Sequence, residues 1–318
     1  MIASRQTLPQ LSGDLFLTDG GMETTLIFHE GIDLPLFAGF TLLATSEGRA
    51  ALRKYYRTYA GLARRHGVGF VLESPTWRAN PDWGAQLGYT PETLAEANRQ
   101  GIGLMHEVRE EFETAATPIV VSGCVGPRGD GYAPSALMNA DEAARYHTAQ
   151  VRTLRDAGAD LVSAFTMNYI EEAVGIARAA EALDIPAVIS FTLETDGRLP
   201  GGLTLREAIE TVDAATSAPP AYYMINCAHP VHFEAALTAG EPWLRRIRGI
   251  RANSSMRSHA ELNDAPDLDE GDPADLGCRH RDLLRKMPHV TVLGGCCGTD
   301  HRHVEAILLA CRRASADG

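Results

Sequence analysis

Six cysteines occur in 318 residues, and two of them are adjacent and flanked by glycines in Gly294-Gly295-Cys296-Cys297-Gly298. Glycine lets the backbone turn tightly, so two neighbouring sulfurs can aim near one point. The pair reads as the start of a helix, where the N-terminus favours thiolate over thiol. Cys227 follows Asn226 at the end of another apolar run. Together the three would offer soft thiolate ligands suited to zinc. Three protein ligands leave a fourth position open, the pattern of a catalytic rather than a structural site. Adjacent cysteines also occur as plain core residues or as a vicinal disulfide, and it is Cys227 that raises the metal reading above both. Cys124 reads as a small buried residue, Cys278 as a loop residue and Cys311 as part of a helix core. His229 and His232 read as packing or solvated side chains before they read as ligands. His301 and His303 stand two apart on a helix, share no face, and read as exposed.

Composition limits what such a site serves. The chain is 45% apolar and 22% charged, ordinary values for a globular protein with a large core. Its 29 Lys and Arg against 41 Asp and Glu leave a net charge of −12. That balance argues against a nucleic-acid partner, which needs cations to displace phosphate counterions, and it tolerates cationic ligands. No apolar run is long enough for a membrane span, and the opening residues do not read as a secretory signal. The expectation is a cytoplasmic protein, where sparse clustered cysteines mean metal or catalysis more often than a disulfide scaffold.

The residues that must position these thiols alternate along the chain. Short apolar, β-branched runs cover 15–18, 69–72, 118–122, 160–164, 186–191, 221–225, 247–251 and 290–293. Between most of them lie segments of helical spacing, such as Leu52, Tyr55, Tyr59 and Leu62, or Tyr146, Val151 and Leu154. Asn139 with Glu142 reads as a capping box, and Val304, Ile307, Leu308 and Cys311 give the last helix an apolar stripe. Eight strand–helix units fit a (β/α)8 TIM barrel, one domain over residues 1–318, better than an open sheet. In a barrel, chemistry sits after the C-terminal strand ends. The unusual residues fall there: Asp19-Gly20-Gly21, then Glu73-Ser74-Pro75-Thr76-Trp77, Gly123-Cys124-Val125-Gly126-Pro127, Asn226-Cys227 and the paired-cysteine motif. The stretch 254–276, rich in Pro, Asp and Gly, reads as a long loop after the seventh strand. It either covers the barrel mouth or is a surface insertion.

Asp19-Gly20-Gly21-Met22-Glu23-Thr24, Asn226-Cys227 and Gly294-Gly295-Cys296-Cys297-Gly298-Thr299 resemble the zinc-dependent homocysteine S-methyltransferase family. Ser122-Gly123-Cys124-Val125-Gly126-Pro127 and Ser190-Phe191-Thr192-Leu193, with Asp196-Gly197, look like family segments in the same order, so the resemblance covers nearly the whole chain. It implies a barrel whose Zn²⁺ is held by Cys227, Cys296 and Cys297, and methyl transfer to homocysteine giving methionine. It implies that Asp19 holds the amino group of homocysteine and that Asn226 contacts the substrate or orients the ligand beside it. A homodimer follows by family analogy only. One position departs. Where family members carry a Glu after strand four that pairs with the amino group, this chain has Phe165. A phenyl ring forms no ion pair with an ammonium, and a cation–π contact contributes only about 1 kcal/mol. Glu73 is an alternative carboxylate. Trp77 and Trp83, in the same loop, read as packing residues or as walls of a cation pocket.

The implied chemistry is coherent. A free thiol has a pKa of about 8.5 and is mostly protonated at neutral pH, whereas coordination deprotonates it outright. Zinc with three protein thiolates and one substrate thiolate is doubly negative. That charge keeps the substrate sulfur nucleophilic and attracts a cationic methyl donor, a sulfonium or a quaternary ammonium. No general base is required, and positioning in a dry barrel mouth supplies much of the remaining rate. Three alternatives stand beside this reading. One is the same chemistry on another thiol or a selenol, because of Phe165. The second is a metal-dependent lyase or hydrolase, which is expected to use His and carboxylate ligands. The third is a non-catalytic thiol- or zinc-binding protein. The sequence does not choose the donor, and it carries no dinucleotide fingerprint or P-loop.

Overall fold

In the computed structural model, which describes residues 8–134, 137–263, 265 and 267–316, eight parallel strands close into a barrel in sequence order. They are β1 (Phe16–Leu17), β2 (Gly69–Glu73), β3 (Ile119–Val125), β4 (Leu161–Met167), β5 (Ala187–Phe191), β6 (Tyr222–Asn226), β7 (Ile247–Ala252) and β8 (Val292–Gly295). β1 pairs with both β2 and β8, which completes the ring. This is the (β/α)8 architecture expected from the alternation of apolar runs and helical segments.

The flanking helices are Ser46–His66, Pro91–Phe112, Ala140–Asp156, Ile170–Ala182, Leu205–Ala214, Pro273–Lys286 and His301–Ala316. Their ends follow local chemistry. Thr45 accepts from Gly48 N at 3.0 Å to cap Ser46–His66, and Gly67, in the left-handed region, ends it. Asn139 and Glu142 form the expected capping box. Leu52, Tyr55, Tyr59 and Leu62 are buried, as are Val304, Ile307, Leu308 and Cys311. The sixth unit departs from the pattern. Between β6 and β7 stand only short turns, Pro230–Phe233, Glu234–Ala236 and Pro242–Arg246. Among the described residues no helix is long and apolar enough to cross a membrane.

Strand residues alternate between two apolar layers. One set packs against the helices. The other fills the barrel, with Phe16, Val71, Val120, Leu161, Val188, Tyr222, Met224 and Val292 in one cluster. A turn at Pro9–Leu11 stoppers the lower end. Leu8 and Leu11 join the barrel cluster, Gln10 donates to the Tyr222 hydroxyl at 3.3 Å, and Thr291 Oγ1 donates to Gln10 O at 2.7 Å. Above the apolar layer the same alternation brings Glu73, Cys124, Phe165, Ser190, Asn226 and Arg251 under the mouth.

The strands therefore run further upward than the apolar runs. Glu73, Gly123 to Val125, Asn226 and Gly294-Gly295 lie within strands rather than in the loops after them. The upper barrel layer is polar because it floors a site, so a strand does not end where its apolar residues end. Two other expectations change. Cys278 is exposed on the helix Pro273–Lys286, not in a loop. The stretch 254–276 holds a short helix at His259–Asn263 and the first turn of Pro273–Lys286.

Candidate metal and acceptor site

Cys227 leaves the end of β6, and Cys296 and Cys297 form the turn after β8. Their three Sγ atoms lie within 4.8 Å of one another. Cys227 and Cys296 are joined as a disulfide with Cα atoms 5.3 Å apart, while Cys297 is a free thiol. Backbone bonds fix all three. Cys227 N donates to Arg251 O at 3.1 Å, Cys296 N to Ala252 O at 2.8 Å, and Ser254 N to Cys297 O at 3.2 Å. The last helix starts at His301, so the paired cysteines sit on a turn ahead of it rather than at its N-terminus. Burial pushes the Cys297 thiol up, against the Tyr132 hydroxyl, and the Glu23 carboxyl adds to the rise.

The glycines around the pair are required by close approach. A Cβ on Gly294 would overlap the Thr18 hydroxyl, and one on Gly295 would overlap the Thr299 side chain. Gly21 faces the same turn from β1, where a Cβ would overlap Thr24 and the Cys296 carbonyl. Gly21 N donates to Thr299 O at 3.0 Å and Gly295 N to Asp19 O at 3.0 Å. The Asp-Gly-Gly and Gly-Gly-Cys-Cys-Gly motifs are thus two sides of one contact.

Asn226 is the brace beneath the cysteines. Its Oδ1 accepts from Ser190 Oγ at 2.6 Å and from Thr166 N at 3.0 Å. Its Nδ2 donates to Thr166 Oγ1 at 3.0 Å and points at Cys296 Sγ, 4.0 Å away. Thr166 and Cys227 both hold left-handed backbone, φ 62° and 52°. Such a conformation in a side-chain-bearing residue costs on the order of 1–3 kcal/mol and persists only where the surroundings enforce it. Two hydrogen bonds to Asn226 supply that enforcement for Thr166, and Asn226 is the chain neighbour of Cys227.

Two segments cover the mouth. Asn168 Nδ2 donates to Asp130 O and Gly131 O, both at 2.9 Å, and draws the chain after β3 inward. Tyr132 on that segment brings its hydroxyl to 3.8 Å from Cys297 Sγ. The His259 ring stacks on Tyr132 with centroids 3.9 Å apart. The 254–276 stretch thus contributes to the cover of the site.

The floor holds Phe165, where the family resemblance leads one to expect a carboxylate. Asp19 is buried, accepts from Tyr55 OH at 3.0 Å, and pairs with Arg251 Nη2 at 2.7 Å. Arg251 also donates from Nε to Gly295 O at 3.0 Å and from Nη2 to Gly20 O at 3.1 Å. Its guanidinium carbon lies 4.9 Å from the Phe165 ring centre. Burial raises the Asp19 carboxyl, opposed by Arg251 and Tyr55. Burial also disfavours the charge on Arg251, but Asp19 and Glu73 outweigh it and hold the guanidinium charged. Glu73 accepts from Ser163 Oγ at 3.1 Å, and burial pushes its carboxyl up to about 7 despite Arg251. Burial does the same for Glu23, also to about 7. Glu172 does not stand in for the missing carboxylate: it is bound to His147 at 2.8 Å on the helix layer.

Some expected roles move. The Trp77 and Trp83 rings do not wall a vacant cation pocket; they flank Arg78, whose guanidinium carbon lies 4.5 and 3.7 Å from their centres. His303 is buried, not exposed, and its Nε2 donates to Glu270 O at 2.7 Å. His301 is exposed as expected. His229 is buried as the cap of Pro230–Phe233, and His232 bonds to Met256 O at 2.9 Å, so both do packing and capping work. Cys124 is buried in the barrel cluster. Arg251, Tyr132 and His259 escaped the sequence reading. For Arg251 a signal existed: a cation at the upper end of a barrel strand, two residues beyond Gly249.

Three converging sulfur donors fit a soft divalent ion such as zinc once the 227–296 disulfide is reduced, since a disulfide sulfur is no thiolate ligand.

A closed (β/α)8 barrel with three cysteines gathered at its C-terminal strand ends defines the class. The sequence profile described as homocysteine S-methyltransferase matches residues 16–311. The chain belongs to the homocysteine S-methyltransferase family, a family of S-methyl-transferring enzymes. It is 24% identical over 324 residues to homocysteine S-methyltransferase 4 of Zea mays, covering 96% of this chain and 92% of that protein. It is 24% identical over 322 residues to homocysteine S-methyltransferase 3 of Arabidopsis thaliana, covering 93% and 89%. Among solved structures, the oxidized form of the homocysteine methyltransferase MmuM from Escherichia coli shares the fold at TM-score 0.73 and 22% identity, covering 96% of this chain and 98% of that one. The metallated form of MmuM matches at TM-score 0.69 and 21% identity, covering 94% and 96%.

Proposed function

We propose that this chain is a zinc-dependent thiol S-methyltransferase whose acceptor is homocysteine and whose donor is a cationic sulfonium or quaternary ammonium. The observation that carries the reading is the gathering of Cys227, Cys296 and Cys297 within 4.8 Å at the mouth of a family barrel. A zinc ion held by these residues would supply deprotonation of the acceptor thiol at its open fourth position. Asn226 holds the β6 end in register with Cys296. Tyr132 and His259 close over the cysteines and exclude water, so the acceptor sulfur meets the donor in a dry pocket. The sulfur attacks the methyl carbon in line, and the donor leaves as a neutral thioether or amine. Asp19, paired with Arg251, lies on the floor beneath the acceptor. The whole of 1–318 acts as one barrel domain.

A second reading keeps the chemistry and changes the acceptor to another thiol. Phe165 favours it, because the floor lacks the carboxylate that the family resemblance leads one to expect there.

Calorimetric titration of L-homocysteine into reduced protein holding about one zinc per chain tests the first reading. Binding with proton release, lost in Cys296→Ala, supports it. Absence of binding by the zinc-loaded protein rejects homocysteine and leaves the second reading.

A further inference from the structure

The upper layer of this barrel carries a buried cation between the two strands that deliver the cysteines. Arg251 faces inward from β7, whose register sets it beside Asn226 of β6 and Gly294 of β8. It therefore lies between the two strands that deliver the cysteines. Its side chain is 9% exposed. Nε is spent on Gly295 O, the carbonyl before Cys296, and Nη2 on Gly20 O and Asp19. Nη1 makes no hydrogen bond among the described residues.

Phe165 explains why this charge stays available. A carboxylate at 165 would face the guanidinium and close a second ion pair with it. The phenyl ring instead covers one flat face at 4.9 Å and leaves the hydrogen-bonding edge untouched. Asp19 is then the one carboxylate in direct contact with Arg251 among the described residues. The Asp19–Arg251 pair is close to neutral as a unit, and Phe165 adds no charge. With Asp19 already paired, this floor offers an ammonium less than it offers a carboxylate, which meets the Nη1 donor of a guanidinium anchored on three sides.

Resting on the proposed thiol methyl transfer, we infer that Arg251 is the specificity-determining residue of the acceptor site, which selects thiols bearing a carboxylate and gains little from an α-amino group. Homocysteine qualifies through its carboxylate, and a mercapto acid without nitrogen qualifies equally.

Three thiols of matched length separate the two ends of the acceptor: L-homocysteine, 4-mercaptobutyrate and 3-aminopropane-1-thiol. Each is titrated calorimetrically into reduced, zinc-loaded wild-type protein, with no methyl donor present. The expected result is 4-mercaptobutyrate within about tenfold of homocysteine, and the aminothiol weaker by about a hundredfold or more. Arg251→Met should bring the mercapto acid and the aminothiol to within a few-fold of each other. Because that variant leaves Asp19 buried beside an apolar side chain, Arg251→Lys serves as a folded companion. It keeps the charge, loses the planar fork, and should retain part of the preference. If the aminothiol binds the wild type as tightly as the mercapto acid, the inference is overturned while thiol binding stands. A purely structural ion pair would weaken all three thiols together in Arg251→Met, which also overturns it. If none of the three binds zinc-loaded protein, the thiol-acceptor reading falls and takes this one with it.

Discussion

In the corner where β6 and β8 end, three sulfurs are held by backbone hydrogen bonds, close-packed glycines and the Asn226 brace. On the floor beneath, side chains from β2, β4, β7 and the segment after β1 set one guanidinium among Asp19, Glu73 and Phe165. The corner is built from contiguous motifs, each short enough that a single glycine or asparagine decides its geometry. The floor is built from single residues far apart in sequence, and there Phe165 stands where the family resemblance leads one to expect a carboxylate. On the proposed reading, thiol activation and acceptor recognition are separate parts of one barrel, so that the second could be rebuilt while the first is kept.

The corner breaks most completely through its ligands. Cys296→Ala should lower zinc content from about one per chain to near zero and reduce thiol methylation by about three orders of magnitude. Atomic-emission metal analysis beside an activity assay checks both. Oxidation of the wild type should mimic the metal loss, because the 227–296 disulfide consumes two of the three ligands, and dithiothreitol should restore it. A next, smaller effect comes from the brace. Asn226→Ala should keep all three cysteines yet weaken zinc affinity or activity by about 10–100-fold. Competition with a chelator of known affinity measures it, and unchanged affinity and rate would remove Asn226 from the site.

The floor answers to pH instead. The folded-state pKa of Glu73 is raised from 4.5 to about 7. Its contribution to stability is therefore fully present below about pH 4.5 and is lost as pH rises through 7. Glu23 titrates over the same window. Denaturant unfolding of the metal-free, reduced protein should show a stability decline between pH 5 and 8, on the order of 2–3 kcal/mol from each carboxyl. Glu73→Gln should remove about half of that slope. An unchanged slope would mean that Glu73 is hydrated and ionised in the folded protein.

How far the sequence revealed each region follows from the same contrast. The three cysteines, Asn226 and Asp19 were legible because glycines and strand ends flank them and because residues near in sequence define them. The strands were legible because buried parallel strands read as unbroken apolar runs. Their upper ends were not: Glu73, Cys124, Phe165 and Asn226 belong to strands whose last inward positions are polar or site-lining. Arg251 closes an apolar run, and its partner Asp19 is 232 residues away, so only the closed barrel reveals the pair. Trp77 and Trp83 signalled a cation correctly, but the cation is the chain's own Arg78. His303 shares no face with His301, as its spacing requires, yet it is buried against Glu270, 33 residues away in the chain.

Leu8, Gln10 and Leu11 close the barrel from below, so the mouth is both entrance and exit. An acceptor seated on the Arg251 floor lies deeper than any donor that reaches its sulfur from above. On the proposed reading, turnover should follow a fixed order of boarding: acceptor first, donor second, spent donor out, methylated thioether last. In steady-state inhibition the thioether should compete with the acceptor thiol but not with the donor, and a random pattern would mean that the cover opens on more than one side.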